Sequence, residues 1–548
     1  MKVAKWWAGS LLWMVLVTAS LQSGVNVSYA GSQTGAPVTA ENERAALQSG
    51  IELERSRRWP EAIEFYEKSL ETWSNSSDLQ YAARTKVQFA IDRRYNDRTF
   101  KEMLTHLTQA EALSYMDDVL LKVLQYYVDP IEAMTYVSHG TESLYMALNN
   151  EKFLERNLPR ASPEAIARYR KMLRDQYWNR PVSNHSHARK TVLEICDSAE
   201  RQLGLASTPV IMEYVFGGCN ALDDYSSFLT PGRLDDLFNN IGGEFVGIGI
   251  EMKADRGQGM RLEKVLPESP AEEGGARPGD WIVAIDGVDC REMTTDEAAG
   301  LLVGTAGSRV QLQLRDPDTR VERNATLTRR AVKIKSIPIA KMIDHVNGIG
   351  YIQMTGFQEN TTQELDAALL QLNREGMRAL VWDVRGNPGG LLRTAVSVLD
   401  RFLNDGVIVS VKGRNPSKDE MYTAHRPGTW NIPLVLLIDG DSASASEIVA
   451  GAVRDHRRGA IVGRKSYGKW SVQEIMSFES HSGLKLTTAK FYSPNGKNYS
   501  KVGLEPDVHV ELETDMATAY RGLRNGDYEG DADIRKGLEL LRSQLARR

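Results

Sequence analysis

Three short stretches carry side chains able to do covalent chemistry. The first is Ser442-Ala443-Ser444-Ala445-Ser446-Glu447, set between an apolar run and a helical pattern. Its alternation of serine with alanine keeps the surroundings small, so an extended backbone can approach. A serine in such a strand-to-helix turn points at a substrate while the next N–H points at the developing oxyanion. Serines before a helix also serve as plain N-caps, and Ser446 beside Glu447 has that ordinary reading. The second stretch, Tyr467-Gly468-Lys469-Trp470-Ser471-Val472-Gln473, brings a lysine out of a glycine turn into apolar and uncharged surroundings. A lone lysine is ordinarily solvated, but beside a serine in a dry cleft it serves as a general base. At a pKa of about 10.4 the amine is neutral only roughly once in 2,500 molecules at pH 7. Bringing it to about 7 takes about 4 kcal/mol of desolvation and neighbouring dipoles. Lys469 must therefore be buried without a carboxylate partner. Gln473, four residues on, is a neutral group suited to orient the amine without raising its pKa. The third stretch is Asp383-Val384-Arg385-Gly386-Asn387-Pro388-Gly389-Gly390. It follows a strand and opens a helix. Its adjacent glycines either leave backbone N–H groups bare for an oxyanion or form a plain tight turn.

The elements that must position these groups alternate. Strand patterns at 350–354, 379–384, 434–438 and 460–463 are separated by helical patterns at 362–374, 391–403 and 446–455. That order implies parallel strands with crossover helices, whose working groups lie beyond the carboxyl ends of the strands. Upstream, at about residue 241, the pattern changes from helical to short strands at 245–250, 262–266, 281–285 and 310–315, with a helix at 294–303 near an N-cap at Thr294 or Thr295. Within it, Gly247-Ile248-Gly249-Ile250 suits convergence of N–H groups on a carboxylate with a peptide added as a strand. The same glycines also suit a tight bend at a sheet corner.

Residues 41–98 read as helical, with Ala46, Gly50, Trp59, Ala62, Tyr66, Ser69 and Leu70 placed as in one tetratricopeptide hairpin or a generic helical pair. Residues 101–240 read as amphipathic helical scaffold without chemistry, in which 139–154 and 217–229 echo each other. The first thirty residues join Lys2 and Lys5 to an apolar run at 6–21 and to Ser28-Tyr29-Ala30, the layout of an export leader, cleaved or kept as an anchor. Across 548 residues the apolar fraction is 42%, the charged fraction 25% and the net charge −5, which suits several soluble domains and gives no basic surplus for nucleic acid. Cys196, Cys219 and Cys290 are ordinary thiols, or one bridge with a spare. No His/Asp/Glu cluster has metal-ligand spacing, so no cofactor is expected.

Residues from about 200 to 508 resemble the C-terminal processing peptidases, or tail-specific proteases. Besides the three stretches above, the resemblance is carried by Gly243-Glu244-Phe245, by Tyr492-Ser493-Pro494-Asn495-Gly496 and by Gly503-Leu504-Glu505-Pro506-Asp507-Val508. Gly247, Ile248, Gly249 and Ile250 stand at the carboxylate-binding loop of a PDZ domain. The fold so implied is multidomain α/β: a helical N-terminal region, a PDZ-like β-rich domain and an α/β-sheet protease core (ClpP/crotonase-like). The expected boundaries are leader 1–30, tetratricopeptide-like helices 41–100, scaffold 101–240, PDZ domain 241–335, peptidase core 336–515 with part of 180–240, and a helical tail 516–548.

The resemblance makes Ser444 the nucleophile and Lys469, twenty-five residues later, the base oriented by Gln473. It places oxyanion donors on one of Gly389 and Gly390 and on the Ala445 N–H. Asp455 aligns with an aspartate of the family and is read as structural, because a carboxylate close to Lys469 would hold the amine charged. The chain departs from the pattern at Trp470, where a small residue is usual, at Asp441, where glycine is common, and at Leu302-Val303-Gly304, which lacks a basic residue before the glycine. The expected function is that of a serine endopeptidase cutting polypeptides at or near their C-terminal ends. The expected setting is export, periplasmic or membrane-associated. Expected partners are polypeptides with accessible C-termini, an adaptor or activator on the helical N-terminal region, and copies of the chain itself. The rival expectation is a peptide-binding scaffold whose catalysis is lost or gated by Trp470. Retention of Ser444, Lys469 and Gln473 together argues against it.

Overall fold

The computed structural model describes residues 13–14, 43–55, 59–73, 76, 85–416, 419–425, 429–479, 481–511 and 527–547. The leader pattern lies, residues 13–14 apart, outside the described residues, as does 516–526 of the expected tail. The chain forms two compact units, one of residues 92–106 and 230–335, the other of the remainder.

The larger unit is built on a six-stranded sheet in the order Ile339–Asp344, Ile349–Gln353, Ala379–Asp383, Leu434–Ile438, Ala460–Gly463, Val508–His509. The first pair is antiparallel and the rest are parallel. These strands are short apolar runs because both faces are covered. Ile352, Leu380, Trp382 and Leu436 point into the cluster made with the helices Thr361–Arg374, Leu392–Leu399 and Ala445–Asp455. Their neighbours Tyr351, Val381 and Val435 point the other way, onto Ile534, Leu538 and Leu541 of the C-terminal helix Ala532–Ala546. The strands and helices expected between 350 and 463 are present, with ends shifted by a few residues.

A second, antiparallel sheet was not legible in the sequence. The strand Gly483–Tyr492 is flanked by Ser471–Ser477 on one side and by Val407–Gly413 and Ser227–Leu229 on the other. Gly483–Tyr492 hides itself by burying Lys485, Thr487 and Thr488 among its apolar residues. Ser227–Leu229 comes from a region read as helical scaffold.

A buried ion cluster ties the C-terminal helix to the sheet edge. The Arg385 guanidinium donates to Asp383 (2.7 Å), Asp531 (2.9 Å) and Asp533 (2.7 Å), and Arg464 also donates to Asp533 (2.7 Å). Tyr351 Oη adds a bond to Asp383 (2.7 Å). Charges this far from water persist only when each is paired.

In the smaller unit an antiparallel sheet runs Ile250–Asp255, Gly259–Val265, Trp281–Ile285, Arg309–Arg315, Glu322–Thr328, beside a ribbon of Glu244–Gly247 with Arg330–Lys333. Its helix Thr295–Leu302 starts on a capping box of Thr294 and Glu297, as the sequence suggested. At the other end of this helix the missing basic residue is supplied from elsewhere. Buried Arg329 donates to the carbonyls of Leu301 (3.1 Å) and Leu302 (2.7 Å), a cation on a helix C-terminus. A Cβ on Gly304 would meet the Arg329 guanidinium, so the glycine makes room for it.

Elsewhere, the helices Glu43–Arg55 and Trp59–Thr72 pair with Gly50 against the Tyr66 ring. The helices Ala133–Ala147 and Ser207–Gly218 pack small residue against large, Gly140 on Tyr214 and Gly218 on Tyr136, while the stretch 217–229, expected to echo 139–154 as a helix, is mostly a short turn and a strand. The three cysteines are buried and unbridged.

The ion cluster generates a stability prediction. Asp533→Ala takes a carboxylate from buried Arg385 and from the mostly buried Arg464. Urea unfolding of this variant is expected to show a loss of about 3 kcal/mol, and an unchanged midpoint would show the cluster to be energetically idle.

Candidate active site

The three serines of the Ser-Ala run do three different things. Ser442 Oγ donates to the Val384 carbonyl (2.8 Å) and accepts the Asp439 N–H (3.0 Å), locking the turn after the strand Leu434–Ile438. Ser446 Oγ donates to the Asn387 carbonyl (2.9 Å), tying the helix start to the glycine loop. Ser444 stands between them with φ +59° and ψ −111°, a left-handed conformation that costs a non-glycine residue about 1–3 kcal/mol. Its Oγ is buried and has no hydrogen-bond partner among the described residues. The cap expected at Ser446 falls instead at Ser444, whose backbone N–H, rather than its hydroxyl, bonds Glu447.

Glu447, three residues on, is fully buried and spans two loops. Its Oε2 accepts the N–H groups of Ser444 (2.9 Å) and Lys469 (2.8 Å). Its Oε1 accepts Ser466 Oγ (2.6 Å) and the Gly468 N–H (2.8 Å). Burial raises the Glu447 pKa, and these four donors oppose that rise. A single carboxylate thus registers the backbone of Ser444 against that of Lys469.

Lys469 is almost wholly buried. Its amine is pushed well below the ordinary lysine value by desolvation first and by the charge of Lys485 second, against opposing pulls from Asp223 and Glu447. Lys469 Nζ lies 4.6 Å from the centre of the Tyr225 ring. A ring face favours the ammonium by about 1 kcal/mol, which the several kcal/mol of full desolvation outweighs. Tyr225 belongs to the region read as scaffold without chemistry; the antiparallel pairing of Ser227–Leu229 carries it to the lysine. The segment before Ser227 therefore lines the site after all.

The glycine loop is fitted against the serine. A Cβ on Gly389 would fall 2.8 Å from Ser444 Cβ and 2.9 Å from the Ala445 nitrogen, at φ +104°. Buried Asn387 shapes this loop: its side chain donates to the Met354 carbonyl (2.8 Å) and accepts the Gly389 N–H (2.8 Å). Of the expected oxyanion donors, Gly389 therefore has its N–H already committed. The N–H groups of Gly390 and Ala445 have no acceptor among the described residues. Asp439 joins the loops from below, accepting the N–H groups of Gly386 (2.9 Å) and Ser442 (3.0 Å).

Gln473 is buried on the strand Ser471–Ser477. Its amide nitrogen donates to Ser471 Oγ (2.9 Å) and Thr487 Oγ1 (3.1 Å), and its Oε1 has no partner among the described residues. Asp455 accepts the Asn495 N–H (2.9 Å), in keeping with a structural reading. Trp470 does not cover the cleft. Its indole is fully buried in the main core, with ring centres 4.6 Å from Phe491 and 4.9 Å from Tyr499. The expectation of gating by this residue loses its ground.

In the smaller unit the loop through Gly247, Ile248, Gly249 and Ile250 turns at Gly249, φ +81°. The carbonyls of Ile248 and Gly249 accept the N–H groups of Ala271 and Leu266 (2.9 Å each), while the Ile248 and Gly249 N–H groups have no acceptor among the described residues. The edge strand Ile250–Asp255 follows.

Sequence reasoning missed Glu447, Asp439, Asn387 and Tyr225. Ser444 and Glu447 have capping-box spacing, which was a local signal, but the reach of Glu447 to residues 466–469 leaves no trace in sequence.

The segment 348–510 matches peptidase family S41, and 261–316 matches a PDZ domain. A carboxy-terminal-processing protease of Bartonella bacilliformis is 36% identical over 296 residues, 53% of this chain and 67% of the relative. A carboxyl-terminal-processing protease of Synechocystis sp. is 32% identical over 345 residues, 62% of this chain and 75% of the relative. The solved photosystem II D1 C-terminal processing protease superposes loosely, with TM-score 0.40 and 24% identity over 78% of this chain and 100% of that one.

The contact between Gly389 and Ser444 can be tested. Gly389→Ala puts a methyl group where Ser444 Cβ and the Ala443 carbonyl already lie, each 2.8 Å away. Turnover is expected to fall at least about 100-fold with the circular dichroism of the parent retained. Parent turnover in a folded variant would show that the loop does not serve the serine.

Proposed function

The chain belongs to peptidase family S41, and from that membership we propose that it is a serine endopeptidase cutting polypeptides at or near their C-terminal ends. The observation that carries this reading is the pairing of a strained, unbonded Ser444 hydroxyl with a buried, weakly basic Lys469 through one carboxylate.

Ser444 Oγ attacks the scissile carbonyl and Lys469 takes its proton. The Ala445 and Gly390 N–H groups hold the oxyanion, in a water-poor site where such bonds are worth most. Lys469 then returns the proton to the leaving amine, and water resolves the acyl-enzyme by the same route reversed. Gln473 is anchored through its amide nitrogen, so its Oε1 is the atom left to receive the Lys469 amine and orient it. The depressed basicity of Lys469 suits this cycle, since the amine must arrive neutral.

The PDZ domain selects the substrate. Its open Ile248 and Gly249 N–H groups suit a terminal carboxylate, and the edge strand beginning at Ile250 suits the extended residues before it. Polypeptides with accessible C-termini are therefore the substrates. The leader pattern of residues 1–30 supports export to a periplasmic or membrane-associated site, and among the described residues no helix is long and apolar enough to cross a membrane. The helical segment 41–100 is the place for an adaptor or activator, and self-association is a further expectation.

The test uses the purified chain and an unfolded polypeptide with an apolar tail. Ser444→Ala and Lys469→Ala are each expected to lower kcat at least about 1,000-fold. Converting the substrate's terminal carboxylate to a carboxamide is expected to raise KM about tenfold, a loss of about 1.4 kcal/mol. Parent-rate cleavage by either variant sinks the mechanism, and an unchanged KM sinks the role of the PDZ loop.

A further inference from the structure

Lys485 is a second buried lysine, 4% exposed, to which the mechanism above gives no part. It sits on the strand Gly483–Tyr492, two residues before Thr487. The Thr487 hydroxyl meets the Gln473 amide at 3.1 Å, and alternate residues of a strand share a face, so Lys485 lies on the face that carries Gln473. Across the neighbouring strand its register partner is Ser227.

The residues just before Ser227 close the same space. Ser226 Oγ accepts the Thr487 N–H (3.0 Å), Tyr225 lays its ring 4.6 Å from Lys469 Nζ, and Asp223 accepts the Tyr225 N–H (3.3 Å). One segment, 223–227, is thus packed against both lysine-bearing elements. The charged and titratable groups that bear on Lys469 are Lys485 from the strand, Asp223 and Tyr225 from this segment, and Glu447 from the helix Ala445–Asp455. Burial pushes the Tyr225 phenol up, so it stays neutral in the working range.

We propose that Lys485 is a positioning residue for the general base. Kept protonated with the help of Asp223, its ammonium faces Lys469 and holds that amine uncharged and ready for the Ser444 proton. The inference rests on Lys469 being the base. Two ammonium groups enclosed together cannot both be charged cheaply, so the charge of one disfavours that of the other. Burial lowers the Lys485 amine to about 8 and Asp223 opposes the fall, whereas Lys469 is driven well below its ordinary value.

Below about pH 8 Lys485 carries its charge and resists protonation of Lys469. Remove that charge and Lys469 keeps its proton to higher pH. The base must be neutral, so the acid limb of kcat/KM moves upward.

The experiment is the pH profile of kcat/KM for the full chain and three variants. Lys485→Met and Lys485→Gln are expected to move the acid limb up by about one pH unit, so activity on that limb falls about tenfold while the plateau is kept. Lys485→Arg, which retains the charge, is expected to keep the parent limb. A limb that stays in place in a folded Met or Gln variant, or a plateau lowered equally at every pH, overturns the proposal. Loss of all activity in Lys469→Ala, with unshifted Lys485 variants, would spare the base and remove only Lys485. A measurement on the unmutated chain guards against misfolding. The 13Cε signals of Lys469 and Lys485, assigned with Lys485→Arg, are expected to titrate as a coupled pair, and two independent single-proton curves overturn the proposal.

Discussion

The Glu447 carboxylate accepts four hydrogen bonds, two from backbone N–H groups of the lysine loop, one from the Ser466 hydroxyl and one from the N–H of Ser444. Removed from water, an anion needs that many donors. The consequence is geometric. Two loops that leave neighbouring strands of the parallel sheet, Leu434–Ile438 and Ala460–Gly463, are held to one small group of atoms, so a nucleophile and a base brought from separate parts of the chain keep a common frame. The strain at Ser444 is held in place by the same bonds.

Around that frame the structure divides its tasks. The parallel sheet supplies the serine and glycine loops from neighbouring strand ends, as open α/β sheets do. Asn387 and Asp439 fasten the two loops together, and Arg385, held by Asp383, Asp531 and Asp533, fixes the glycine loop to the C-terminal helix behind the sheet. The antiparallel sheet supplies the dry wall for the amine. Gln473, Thr487, Lys485 and the segment before Ser227 all belong to it. Desolvation of Lys469 is thus a property of the second sheet, while its placement is a property of the first.

This division explains what the sequence revealed. The parallel core was legible because fully buried strands are short apolar runs and the crossover helices have clear periodicity. Ser444, Lys469 and the Gly389-Gly390 pair were legible as small or unusual residues in turns, and Gln473 by its spacing of four residues from the lysine. The antiparallel sheet was not, because its longest strand buries a lysine and two threonines that only tertiary partners can satisfy. Tyr225 and Asp223 escaped notice for the same reason, since their relation to Lys469 is made by strand pairing more than two hundred residues away. Trp470 misled in the opposite sense: a large residue beside a catalytic candidate looks like a lid, yet the chain turns it into the core just before the strand Ser471–Ser477.

Pre-steady-state acylation of a Glu447→Gln chain tests the central role of this carboxylate most directly. The amide keeps the size of the side chain but replaces an accepting oxygen with an N–H₂ that faces two donors. If Glu447 sets the register of Ser444 and Lys469, the acylation rate falls at least about 100-fold in a chain whose near-ultraviolet circular dichroism matches the parent. Acylation at the parent rate in such a folded chain would contradict that role.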